Sequence, residues 1–330
     1  MKYTKFGNTG MDVSRICLGC MNFGDPDPND IFNVAKDYDE AKIIFERAIE
    51  LGINFFDTAN VYQMGSSEEY LGRLIREFGL DRDTIVVATK IGFDMRPELP
   101  NGGGLSRKNI MAEIDHSLKR LNMDYVDLYQ IHRLDPFTPL EEVMEALNAV
   151  VQAGKARYIG ATVVASWQLE RLQNIAEVNH WTKFSSIQFQ YNLIYREEER
   201  ELIPLCRDRK MAVIPWSPLA GGRCAQPLTS ASDEVDPLDD LSMLLTAAPS
   251  TVDEIDRPII ENLEMAATER GCSMAQEALA WIFNKDYITA PIIGAASVEH
   301  LEEAVAALDI ELADEEIQLL ESAYTPHAKK

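Results

Sequence analysis

Short apolar runs alternate along this chain with longer segments in which apolar residues recur at helical spacing, the signatures of strands and of helices with one buried face. The runs fall at 16–20, 54–57, 85–90, 126–132, 158–161, 186–190, 212–216 and 289–293. In the first intervening helix Ile43, Ile44, Ala48 and Leu51 share a face, and in the third Ile110, Ile114, Leu118 and Leu121 do. The stretch Ser66-Ser-Glu-Glu69, Ser106 and Ser166 stand where helix N-caps are expected. Eight strand–helix units predict a parallel sheet, and eight is the number that closes a (β/α)8 TIM barrel. A doubly wound open sheet is the alternative, but it wants Gly-x-Gly-x-x-Gly after the first strand. The chain reads Cys17-Leu-Gly-Cys-Met-Asn-Phe-Gly24 there. A further amphipathic helix near 313–324 follows the eight units. The connection after the seventh strand, 217–256, shows no regular periodicity and carries no Lys or Arg from Cys224 to Asp256. Connections of that length are usually lids or disordered segments, and its place on the chemical rim predicts a lid over a ligand. No repeat or linker divides the sequence, so residues 1–330 read as one barrel domain.

Composition narrows the function. With 46% hydrophobic and 26% charged residues, the chain is a water-soluble globular type. No stretch is apolar enough to span a bilayer and the first residues carry no apolar signal core, so a cytoplasmic location is expected. A formal net charge of −23 sets nucleic acid and anionic membrane aside as partners. Five cysteines form no disulfide framework. Cys17 and Cys20 have redox spacing, yet they lie in a strand whose alternation sends the thiols to opposite faces. The run Glu197–Glu199 reads as a solvated helix start.

The candidate chemistry lies at the strand ends. Asp57, Lys90 and His132 close three consecutive predicted strands, and Tyr62 follows Asp57 in the same loop. In a barrel all strand C-termini open on one rim, where active sites are built. Singly, each of these residues has a duller meaning as a turn, solvated or structural group; their conjunction points to proton donation. An ammonium beside a phenol favours the phenolate, and a carboxylate holds the ammonium in place. With His132 as a second donor, the set suits a carbonyl becoming an alkoxide. No metal-ligand constellation and no Gly-x-Ser-x-Gly elbow accompanies it. Hydride from a nicotinamide is what such a site lacks.

Asn54-Phe-Phe-Asp-Thr-Ala-Asn-Val-Tyr62, Val87-Ala-Thr-Lys90 and Asp127-Leu-Tyr-Gln-Ile-His132 resemble the tetrad motifs of the aldo-keto reductase family. The similarity continues through Gly154–Gly160, Tyr191–Glu201, Ile214–Ala220 and Pro291–Glu303, and covers essentially the whole chain. Residues 191–220 look closest to a longer bacterial and fungal branch. The resemblance implies a barrel that binds NADPH across its rim and reduces aldehydes or ketones. It assigns Asp57, Tyr62, Lys90 and His132 to catalysis. Toward the cofactor it implies Gly19 and Cys20 near the ribose, Thr162 and Gln188 on the carboxamide, and Trp216 stacked on the nicotinamide. Ser217, Leu219, Gly222 and Arg223 correspond to the pyrophosphate segment, and Gly294, Ser297, His300 and Glu303 to the 2′-phosphate and adenine turn. The chain departs at Val163, where the family has Asn after Ser, and at Ala296, His300 and Ala304, where stronger donors are usual. NADP(H) is therefore favoured only modestly, with NAD(H) the alternative. Two other activities fit the resemblance: oxidation of a sugar or glycoside hydroxyl, and a cofactor-binding regulatory role like that of potassium-channel β subunits.

Overall fold

A computed structural model describes residues 1–26, 35–228 and 254–326. The eight expected strands are all present. They are β3 (Cys17–Gly19), β4 (Phe55–Asp57), β5 (Val86–Ile91), β6 (Val126–Ile131), β7 (Ala156–Thr162), β8 (Phe184–Gln188), β9 (Ala212–Val213) and β10 (Ile292–Ile293). All pair in parallel in the order β10-β3-β4-β5-β6-β7-β8-β9. Hydrogen bonds from Thr289 N to Val213 O at 2.9 Å and from Ile292 N to Pro215 O at 2.8 Å join the two ends, so the sheet closes into a barrel.

The closed sheet gives each strand an inward and an outward face. Inward positions alternate with outward ones along each strand. Low in the barrel they are apolar, with Cys17, Phe55, Val86, Ala88, Leu128, Ala212 and Ile214 in one fully packed cluster. Two residues further along, toward the strand ends, the inward positions become Asp57, Lys90, Gln130 and Gln188, all buried. An apolar floor thus supports a polar upper layer.

The bottom is closed by an antiparallel hairpin, β1 (Tyr3–Lys5) and β2 (Asp12–Ser14), which the sequence reading did not anticipate. It drives Phe6 and Val13 into the floor cluster, where Phe6 meets Phe55 edge-on at 5.8 Å. Burying a side chain of that size contributes ~1.5–3 kcal/mol.

The outer layer consists of α1 (Tyr38–Glu50), α2 (Ser66–Glu77), α3 (Arg107–Leu121), α4 (Leu140–Gln152), α5 (Ser166–Val178), α6 (Leu202–Arg209), α7 (Arg257–Arg270), α8 (Met274–Phe283), α9 (Val298–Ala306) and α10 (Asp314–Ser322). The buried face of α3 contains the expected Ile110, Ile114, Leu118 and Leu121. That of α1 is Ala41, Ile44, Phe45 and Ala48, whereas Ile43 is exposed; the true stripe includes Phe45 and lies to one side of the expected one. Ser106 caps α3, accepting from Asn109 N at 3.3 Å. Ser66 and Ser166 are instead the first helical residues, after Gly65 and Ala165. Their hydroxyls serve other contacts, Ser66 accepting from Asp25 N at 3.0 Å while donating to Gln63 O at 3.0 Å, and Ser166 donating to Glu201 at 2.6 Å.

The acidic run is a correction. Glu197–Glu199 forms a 3₁₀ turn, but Glu197 is buried and accepts from Tyr324 Oη at 2.8 Å. Glu199 pairs with Arg196 at 2.8 Å, and Arg196 reaches Glu321 of α10 at 3.3 Å. Glu321 also accepts from Trp281 Nε1 at 2.8 Å and pairs with Lys285. The run ties the loop after β8 to the expected C-terminal helix. Cys17 and Cys20 are both buried, one in the floor cluster and one in the outer core, and burial raises both thiols. Most of the expected lid at 217–256 lies outside the described residues. Among the described residues no helix is long and apolar enough to cross a membrane.

Candidate active site

Asp57, Lys90 and Tyr62 form one continuous hydrogen-bonded chain at the top of the barrel. Lys90 Nζ donates to Asp57 Oδ1, to Thr58 O at 3.0 Å and to Tyr62 Oη at 3.2 Å. The ammonium therefore has three acceptors, all its donors can be used, and its side chain is 1% exposed. Asp57 Oδ2 accepts from Gln130 Nε2 at 2.9 Å and from Gln188 Nε2 at 2.8 Å, and Gln188 also reaches Gln130 Oε1 at 3.2 Å. The carboxylate is fixed from three directions. His132 meets Tyr62 edge-on, with ring centroids 5.6 Å apart, and its backbone amide donates to Ile91 O at 2.6 Å. The His132 ring Nδ1 is buried with no hydrogen-bond partner among the described residues.

Lys90, Tyr62 and His132 titrate differently from their free forms. Burial pulls Lys90 down, but Asp57 and then Tyr62 push it back up, and it ends above its ordinary range. For Tyr62 burial raises the phenol; Lys90 opposes and Asp57 adds, with a net shift upward. The expected lowering by Lys90 is present but outweighed, because desolvation is the larger effect on a buried phenol. His132 is held well below its ordinary value by burial, then by Lys90 and Arg133. At neutral pH the site contains a neutral phenol, an ammonium and a neutral imidazole.

The backbone around Tyr62 is strained. Gln63 and Met64 both adopt left-handed conformations, φ 43° and 51°, directly after the tyrosine. Each costs an L-residue ~1–2 kcal/mol. Gly65 continues the turn at φ 102°, and a Cβ there would lie 2.7 Å from Arg120 Cδ. A buried network holds the turn from behind. Arg120 Nε donates to Glu68 at 2.6 Å, and Glu68 accepts from Thr89, the neighbour of Lys90, at 2.5 Å. Glu113 accepts from Asn60 at 3.2 Å and from Arg96 of the loop after β5 at 3.0 Å.

The residues expected to meet the cofactor surround the same rim. Gly19 pairs with Asp57 in register, and a Cβ there would meet Ile292 Cγ2 at 2.8 Å, so glycine is required by the closeness of β10. Cys20 is buried, its amide donating to Asp57 O at 2.8 Å. Thr162 is buried and its hydroxyl donates to His132 O; Gln188 is committed to Asp57 as described. Trp216 is half-buried just beyond β9, its backbone amide donating to Phe189 O at 3.0 Å. Beyond it Ser217, Ala220, Gly221 and Gly222 have φ 49°, 53°, 64° and 95°. Asn192 Nδ2 holds this segment by donating to Ser217 O at 2.9 Å. Leu219 and Arg223 are half-buried there, Arg223 N donating to Ala220 O at 3.3 Å. At the start of α9, Gly294 and His300 are exposed and Ser297 and Glu303 half-buried. The Ser297 hydroxyl bonds Glu299 and holds its carboxyl below the ordinary range.

Two features escaped the sequence reading. Gln130 lies two residues before His132, an inward position that period-2 alternation could have marked. Val163 has φ 48° while its N–H donates to Gln188 O at 3.2 Å, a β-branched residue in left-handed conformation. Asparagine tolerates that conformation far better, so Val163→Asn is expected to raise stability by roughly 1 kcal/mol. Urea midpoints of the two proteins check this, and a lower midpoint for the variant would show that Val163 packing outweighs the strain.

The comparisons agree with this geometry. The sequence profile of the Aldo/keto reductase family matches residues 15–325. Versiconal hemiacetal acetate reductase of Aspergillus parasiticus is 41% identical over 99% of this chain and 98% of its own length. An aldo-keto reductase of Alternaria alternata, AFTS1, is 40% identical over 98% of this chain and 91% of its own. A Saccharomyces cerevisiae protein whose name assigns it provisionally as an aryl-alcohol dehydrogenase is 36% identical over 100% of this chain and 99% of its own. With a closed eight-stranded parallel barrel, and a family match running almost from end to end, this chain belongs to the aldo/keto reductase family of oxidoreductases.

Proposed function

We propose that the chain interconverts an aldehyde or ketone and its alcohol with a nicotinamide cofactor, Tyr62 donating the proton in the reductive direction. The observation that carries this reading is Lys90 Nζ bonded at once to Asp57 and, at 3.2 Å, to Tyr62 Oη in a buried site. Tyr62 stays protonated at neutral pH and is ready to donate, and the phenolate it leaves is stabilised by the adjacent ammonium. Asp57 keeps that ammonium in place. Neutral His132 offers an N–H to the same carbonyl oxygen, so two donors face the developing alkoxide. Ala59, Val61, Tyr62 and Phe93, with Met21 and Met95 against them, form an apolar cluster beside these groups. Such a wall suits an aromatic or bulky apolar carbonyl, in keeping with the names of the relatives.

The residues on the rim fit a dinucleotide. Successive left-handed residues at 220–222 curve the backbone into the kind of concavity that receives phosphate oxygens. Ser217, Leu219, Gly222 and Arg223 would hold the pyrophosphate, Thr162, Gln188 and Trp216 the nicotinamide, Gly19 and Cys20 the ribose, and Gly294, Ser297, His300 and Glu303 the adenosine end. When bound, the nicotinamide supplies or accepts the hydride. NADP(H) is favoured modestly over NAD(H): Arg223 and His300 are cations or potential cations there, while Ala296 offers no donor.

The test is a panel of aromatic aldehydes and alcohols assayed with NADPH and NADH in both directions against pH. Reduction should vary little with pH near neutrality, because the buried phenol keeps its proton. Alcohol oxidation should rise with pH, because the phenol must first ionise. Oxidation that falls as pH rises would remove Tyr62 from the role given to it.

A further inference from the structure

Arg133 directly follows His132 and is exposed at the rim. Its guanidinium lies over the Phe93 ring, with Cζ 4.6 Å from the centroid. The same ring meets His132 edge-on at 4.8 Å, so a single aromatic ring separates Arg133 from the imidazole. Among the described residues Arg133 makes no ion pair, although the chain carries 54 acidic residues against 31 basic ones. Asp94, next to Phe93 in the chain, is exposed and forms no ion pair with Arg133, and other carboxylates of the surrounding loops and of α3 are engaged elsewhere. Asp135 accepts from Leu105 N at 2.8 Å, Phe137 N at 2.8 Å, Thr138 N at 2.7 Å and Thr138 Oγ1 at 2.8 Å. Glu113 is taken by Arg96, Asn60 and His116.

An arginine supported on a flat ring is oriented before any ligand arrives, and its planar fork matches a carboxylate in two-point contact. The apolar cluster that holds Tyr62 and Phe93 meets Arg133 through the Phe93 ring and the polar upper layer through Tyr62. We propose that Arg133 is a specificity-determining residue that recognises a carboxylate on the substrate, at the end of an aromatic or apolar body remote from the reacting carbonyl. The inference rests on the carbonyl-reductase reading above and names the substrate class for that site. A net charge of −23 repels anions at long range, so any preference for a carboxylate must come from a local group.

The experiment compares 4-formylbenzoate with its neutral isostere 4-formylbenzamide, in the full chain and in Arg133→Gln and Arg133→Lys. The unmodified chain should prefer the carboxylate at least ~10-fold in kcat/KM, expressed mainly in KM, the scale of one charge-assisted pair. Arg133→Gln should abolish the preference and Arg133→Lys restore part of it, a pattern that loss of structure would not give. Calorimetry with benzoate and benzamide gives a readout without turnover, with benzoate binding more tightly only where residue 133 is cationic. Equal use of the two aldehydes by the unmodified chain, or a preference that survives Arg133→Gln, overturns the proposal and leaves the reductase reading standing. Absence of turnover with every aldehyde overturns the reductase reading instead. In that case benzoate bound in preference to benzamide, and lost in Arg133→Gln, still supports the anion site.

Discussion

Tyr62→Phe is expected to lower carbonyl reduction by at least ~10²-fold while leaving cofactor affinity close to that of the unmodified chain, the usual scale for losing a positioned acid. The substitution removes one oxygen from a ring that is otherwise fully packed. The apolar contacts with Ala59, Val61 and Phe93 remain, as does the edge contact with His132. Lys90 loses one acceptor but keeps Asp57 and Thr58 O, so no buried charge is left unpaired. Folding should change little, which makes the loss of rate interpretable. Residual activity should come from His132, still able to offer one N–H to the carbonyl oxygen. Single-turnover rates with saturating cofactor separate the chemical step from binding, and a variant that keeps the full rate would place the proton elsewhere.

The barrel was legible because most inner strands are short, largely apolar stretches bounded by turn residues, and because eight such stretches alternate with helical periodicity. The hairpin was not. Its strands are three residues each, and Tyr3 and Lys5 face outward, so only Phe6 and Val13 carry a signal of burial. The shifted face of α1 has a related cause: Ile43 is as apolar as Ile44, and only the position of Phe45 against Phe56, at 5.0 Å between rings, decides which stripe is buried. Serines before a helix are ambiguous because capping and first-turn positions differ by a single residue. The Ser66 and Ser166 hydroxyls were claimed by tertiary partners, Asp25 N and Glu201.

At the site, Asp57, Lys90 and His132 were legible from their places at strand ends, and Tyr62 from its distance along the same loop. What the sequence conceals is the backbone. Nothing in Gln63, Met64 or Val163 announces a left-handed conformation, since each is a poor choice for one. Such strain persists only where the surrounding structure over-determines it, and here it flanks the proposed acid and the proposed carboxamide contact. Buried polar networks are hidden for a different reason. Gln130, Glu113 and Glu197 look like surface residues by type, and only the closing of the barrel and its helices brings partners to them. The same closure left Arg133 over the Phe93 ring but with no ion-pair partner among the described residues.

Lys90→Met should cost ~3–5 kcal/mol of stability as well as nearly all turnover, because it leaves the Asp57 carboxylate buried without its cation. Gln130 and Gln188 still donate to Oδ2, but Oδ1 loses its partner. Asp57→Asn creates the converse state, an ammonium held by Thr58 O and Tyr62 alone, and should lower turnover less severely. The double variant removes both charges. Its stability should recover relative to Lys90→Met, since no unpaired ion remains, and the two single effects should therefore fail to add. Its turnover should not recover, because the phenolate left after proton donation would still lack a neighbouring cation. Denaturation midpoints and turnover measured on all three variants separate the structural role of the pair from its chemical one. Recovery of activity together with stability would show that Lys90 serves only to neutralise Asp57, and Tyr62 would then need another source of its acidity.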